Sequence, residues 1–213
     1  MAVAQLIRWS GLAGILGSIS IAVFVLVHPW NQFVGAEVAR TAAWRIAHSL
    51  HFVGATLTLL FLIGVYARQI KYVGHLGFIG FVLAFIGTAM FVGTGMLTAF
   101  IWPMVAVHAP EALAADGAMF LPPASQALAL TAIVVTVGYV VFGLATLRAG
   151  ILPRWATAVW TLGAVLGMGP PQPLGWLPWV GLVLGGVLFG LGGAWLGYTL
   201  WMSTPDLADP IAA

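Results

Sequence analysis

Residues 155–205 read WATAVWTLGAVLGMGPPQPLGWLPWVGLVLGGVLFGLGGAWLGYTLWMSTP and contain no Asp, Glu, Lys or Arg. No single helix can carry Gly169-Pro170-Pro171-Gln172-Pro173-Leu174-Gly175, because each proline removes a backbone donor and clashes with the preceding turn. The run therefore divides into two apolar helices joined by a hairpin. The same punctuation recurs upstream, where short charged clusters separate charge-free stretches at 9–36, 46–67, 72–110 and 117–147. A helix needs about 20 apolar residues to cross the hydrocarbon. The pattern predicts an all-α transmembrane bundle, one integral membrane domain over 1–213, with six spans at 8–29, 45–67, 74–102, 125–148, 153–169 and 176–201. The fifth is near the lower limit for a crossing, and a re-entrant 153–169 would move the C-terminus to the other side. The remaining long segment, 103–124, is expected on the outer surface. There Pro110 and Glu111 start a short helix and Pro122-Pro123 end it. Residues from Ser203 to Ala213 read as a frayed tail.

Composition supports that reading. Of 213 residues 62% are hydrophobic and 6% charged, and the mean hydropathy is +1.09. Soluble domains carry roughly 25% charged residues, so this chain cannot clothe a water-facing surface. Disorder is excluded for the same reason. The absence of cysteine removes disulfides, thiolate metal sites and cysteine nucleophiles. A net charge of +2 gives no nucleic-acid footprint and serves topology instead. Six crossings put Arg8, Arg68, Lys71, Arg148 and Arg154 on one face, with Arg40 and Arg45 on the other. Basic residues mark the cytoplasmic side, so both termini are expected there. Tryptophans and tyrosines at the span ends agree, because their rings settle at the interfaces. The first apolar run is about twice the 7–15 residues of a signal peptide, which predicts a retained helix.

Several function classes are disfavoured by what the spans lack. No charged residue lies deep in a span, against the carboxylate usual in proton-coupled transporters. The only lysine, Lys71, sits at a span boundary, which excludes a retinal Schiff base. His48-Ser49-Leu50-His51 has the wrong spacing for HExxH and no glutamate. Neither a nucleophile elbow nor a phosphate-binding loop is present. Glycines four apart, as at Gly181, Gly185, Gly186, Gly190, Gly193 and Gly197, permit close helix packing. They are expected to pack helices within the subunit, with other membrane subunits as the alternative.

Histidine supplies the remaining chemistry. His75 is expected to be interfacial. His28 closes the first span, His48 and His51 begin the second, and His108 follows the third. Three residues at 100° put His48 and His51 on one face, and the short 30–44 connection brings His28 to the same height. Buried imidazoles need partners. A bis-histidine haem b would take His48 or His51 with His28 or His108, since two rings of one face cannot clasp one iron. A copper or zinc ion would take His28, His48 and His51, with Glu37, Glu111 or His108 closing the shell. The alternative is interfacial histidines bonded to carbonyls, water or Glu37. Phe52, Phe61, Phe78, Phe81, Phe85, Phe91 and Phe100 are expected to fill the bundle or face lipid, with a lipid or quinone pocket as the alternative.

His28-Pro29, Ala47-His48-Ser49-Leu50-His51 and Gly64-Val65-Tyr66-Ala67-Arg68-Gln69 resemble the pattern of small bacterial multi-pass membrane proteins that have no assigned activity. The resemblance runs through Phe100-Ile101-Trp102-Pro103. It implies a helical protein of the bacterial inner membrane and supplies no catalytic residues. The leading expectation is a haem- or metal-binding membrane protein in electron transfer or assembly. A cofactor-free scaffold subunit and a carrier of a small apolar molecule are the alternatives, and no enzyme reaction is assigned.

Overall fold

The computed structural model describes residues 3–30, 35–168 and 177–203. These are helical, with no strand among them. Long helices are α1 (Val3–Val27), α3 (Ala42–Gln69), α4 (Gly74–Met96), α6 (Ala124–Ala149), α7 (Arg154–Met168) and α8 (Leu177–Met202). Short α2 (Ala36–Ala39) and α5 (Trp102–His108), with 3-10 turns at Pro110–Leu113 and Ala118–Phe120, cluster at one end. The predicted hairpin at 169–175 and most of the tail, 204–213, lie outside the described residues.

Neighbouring helices pair in the order α1, α3, α4, α6, α7, α8 and back to α1, a closed ring. Its two ends are chemically distinct. One carries His28, the starts of α3 and α6, and the short elements. The other carries Arg68, Lys71, Arg148 and Arg154. The chain's described ends meet there, with the Arg8 guanidinium 4.5 Å above the Trp201 ring and Trp9 edge-on to Trp201 at 5.5 Å. Gly150, at φ 67°, stops α6 and donates its N–H to the Thr146 carbonyl, a left-handed cap that glycine adopts without strain.

Among the described residues five helical stretches are long and apolar enough to cross a membrane: Val3–Val27, Ala42–Gln69, Gly74–His108, Ala124–Ala149 and Val180–Met202. The expected fifth span, now α7, has 15 residues, or about 22 Å at 1.5 Å per residue. It packs between α6 and α8 as a full member of the ring, yet is shorter than a hydrocarbon core of about 30 Å.

A second difference concerns residues 103–108. The expected span ended at Trp102, but the helix runs on to His108 through a π turn at Leu97–Ile101. In that turn the Trp102 N–H reaches back to the Leu97 carbonyl. The next donor in this widened register is residue 103, a proline without an N–H. The Thr98 carbonyl is thereby deprived of a backbone partner, and the indole Nε1–H of Trp44 supplies one at 2.9 Å. Pro110 leaves the Ala106 carbonyl in the same state four residues upstream. Arg40 donates to it from Nε at 2.9 Å and from Nη2. Pro103 thus reads as a helix stop in sequence, yet Trp44 offsets its missing donor as Arg40 offsets that of Pro110.

Glycine explains how closely the ring closes. A Cβ at Gly11 would stand 2.5 Å from the Trp201 amide nitrogen, and one at Gly163 only 2.1 Å from that of Phe189. The α8 glycines face α1 or α7 inside the same chain, which is the expected intrasubunit packing. Side chains on the other faces, such as Leu26, Phe78, Leu130 and Leu191, are exposed and suit contact with lipid. The chain is a multi-pass membrane protein in its helices and their surface chemistry.

Candidate functional site

The site grows from the first turns of α3. Thr41 caps that helix by accepting the Trp44 N–H at 3.1 Å, and helical spacing then sets Trp44, His48 and His51 on one inward stripe. All three are buried, at 2%, 6% and 3% exposure. The neighbouring end of α1 adds Phe24 and His28. The resulting cluster is continuous: Trp44 lies 4.1 Å from His48 between ring centres, and His28 lies 5.1 Å from His48 at 79°. Phe24 stacks on His51 at 4.9 Å and 19°, and Phe91 of α4 lies against His51 at 4.2 Å. Trp102 stacks on Trp44 at 5.5 Å and 10°. Three of the expected residues, His28, His48 and His51, are therefore brought together.

They border a cavity of about 290 Å³ inside the ring, which reaches from Trp102 and Phe120 to Phe189 of α8. Among the described residues no charged side chain lines it. Thr94 and Thr98 are on the wall, but their hydroxyls bond to carbonyls of their own helix, Met90 and Thr94 respectively. Both ring nitrogens of His48, both of His51 and the indole nitrogen of Trp102 are buried without a hydrogen-bond partner among the described residues. Such groups are rare in folded proteins and costly to leave unsatisfied. Trp102 offers a donor only, whereas a neutral imidazole offers one donor and one acceptor. His28 stands just past the end of α1, and burial pushes its pKa down to about 4.

The rest of the expected ligand set is elsewhere. His108 is exposed at the end of α5 and Glu111 is exposed on the following turn. Glu37 faces outward, its carboxylate 3.5 Å from the Arg40 guanidinium with the side chain 85% exposed. Among the described residues no group of three or more His, Asp or Glu side chains is placed to hold a metal ion. In a bis-histidine haem, two in-line metal–nitrogen bonds of about 2 Å place ligating ring centres roughly 6 Å apart, on opposite faces of the macrocycle. His28 and His48 are closer than that. His48 and His51 are 6.2 Å apart but share one helix face.

Sequence reasoning also missed wall residues. Trp44 and Trp102 read as interfacial anchors, and Phe24 was not singled out. Of the phenylalanines named from sequence, Phe91 alone lines the cavity. Phe61 is fully buried in the main core, while Phe78 and Phe100 are exposed. The available signal was the i, i+4 spacing of Trp44 to His48, which puts an indole directly above an imidazole. A comparison of the chain with known protein families, curated proteins and solved structures finds no match.

Proposed function

We propose that this protein binds a small, largely apolar molecule in the histidine-flanked chamber, as a membrane carrier or receptor. The arginine-rich end faces the cytoplasm in this reading, and the chamber lies toward the outer face of a bacterial inner membrane. One observation carries the proposal: an apolar, aromatic cavity bordered by His48, His51 and Trp102, whose buried ring nitrogens have no hydrogen-bond partner among the described residues. Ligand sites combine that character, a mostly apolar wall with few polar groups that fix orientation.

The proximity of His28 to His48 favours a second reading, in which these rings turn to hold haem b or a copper or zinc ion. The two readings separate in a single preparation. Protein purified from membranes in mild detergent is extracted with organic solvent and analysed by mass spectrometry, alongside an absorption spectrum and elemental analysis. The carrier reading expects a stoichiometric apolar organic molecule, diminished in a His48→Phe variant and retained in His75→Ala. A Soret band or stoichiometric metal, lost with His48→Phe, would establish the second reading instead. A preparation with no guest, and none taken up on addition, overturns both and leaves a scaffold.

A further inference from the structure

We infer that the guest is a neutral quinone-type ring, its oxygens hydrogen-bonded by Trp102 and the His48/His51 pair and its face packed on the aromatic wall. This deepens the carrier reading and rests on it. Three features select the class. First, among the described residues the wall holds no Lys, Arg, Asp or Glu. An anionic headgroup such as a fatty-acid carboxylate would be buried there without a counter-charge, which is strongly unfavourable. The guest is therefore neutral.

Second, the available polar groups are spread around the chamber. The Trp102 indole is a donor with no acceptor capacity, so the atom it meets carries a lone pair. Trp102 lies on α5 and His48 and His51 on α3, so the groups enter the wall from two different helices. A hydrocarbon leaves all of these unsatisfied, and a single hydroxyl answers one end only. A ring with oxygens at two positions answers both. Imidazole can donate to a carbonyl or accept from a hydroxyl, so the same site accommodates the oxidised and the reduced ring.

Third, the wall is rich in aromatic rings, among them Phe24, Trp44, Phe91 and Trp102. Aromatic faces favour offset stacking with another planar ring over contact with a flexible chain.

The test uses the whole 213-residue chain in detergent. A decyl-substituted benzoquinone is titrated by equilibrium dialysis against decylbenzene, which shares the ring and tail without the oxygens. The quinone should bind saturably at one per chain, and at least about tenfold more tightly than decylbenzene, the worth of roughly one buried hydrogen bond. Trp102→Phe and His51→Phe keep an aromatic ring and remove the nitrogens. Each should weaken the quinone about tenfold and leave decylbenzene unchanged, while His75→Ala alters neither. Equal binding of both probes by the native chain overturns the quinone assignment while the carrier reading stands. If neither probe binds, and extraction of the native protein yields no organic guest, both fail. The comparison of probes on the native chain decides the matter even where a variant does not fold.

Discussion

Replacing Trp44 with Phe tests the account of how the histidine end is held. The substitution keeps an aromatic ring against His48 and Trp102 but deletes the donor that serves the Thr98 carbonyl. A buried carbonyl left without a partner costs about 1–3 kcal/mol. The smaller ring adds about 1 kcal/mol or more of lost packing in a site 2% exposed. Trp102→Phe is the matched control, because its indole N–H has no partner among the described residues and only the packing loss applies. Trp44→Phe should therefore be the more destabilising of the two by about 1–3 kcal/mol. Equilibrium unfolding in mixed detergent micelles, followed by circular dichroism, measures both. A double-mutant cycle sharpens the comparison. Pro103→Ala returns a backbone N–H to the π turn, so it should recover part of the Trp44→Phe loss, with a coupling of about 1 kcal/mol. Equal costs for the two tryptophans, together with zero coupling to residue 103, would refute the reasoning.

Other expectations follow from the same geometry. Arg40→Met should destabilise the chain by about 1–2 kcal/mol through the orphaned Ala106 carbonyl, whereas Glu37→Gln, at an exposed pair, should change it by under about 1 kcal/mol; the same unfolding assay compares them. Gly163→Ala should abolish or severely reduce folded yield, because its Cβ would overlap the α8 backbone. Gly93→Ala meets nothing within 4 Å and should be neutral or stabilising by up to about 1 kcal/mol. His28 binds its proton less readily folded, at about 4, than unfolded, at 6.5. The unfolded state therefore takes up more protons as pH falls, and the stability present above pH 6.5 is lost progressively toward pH 4. A His28→Phe chain should show a shallower decline over that window in unfolding scans. A single cysteine placed at position 115 of this cysteine-free chain should react with an impermeant maleimide on intact cells. One placed at position 151 should react only after permeabilisation.

Much of the fold was legible because lipid imposes one rule, that apolar runs of sufficient length become helices. The run from Gly74 and the break after Arg148 followed directly from it. Depth was legible too, since sequence distance along a helix converts to height, and it placed His28 beside His48 and His51. Azimuth was not. His108, Glu37 and Glu111 share the histidine end, but which way each faces depends on packing among segments far apart in the chain. Trp102 looked like an anchor for the same reason, because only the tertiary fold turns its ring onto Trp44. The helical course of 103–108 was hidden by Pro103, whose compensating donor lies 54 residues from the carbonyl it serves.

Two prolines thus make one stretch of helix a borrower, drawing its missing amide hydrogens from residues 40 and 44. Those loans tie distant positions into common change. A lineage that exchanges Pro103 or Pro110 for a residue bearing an amide hydrogen releases its Trp44 or Arg40 to drift. A lineage that keeps the prolines holds both lenders in place, whatever becomes of the chamber between them.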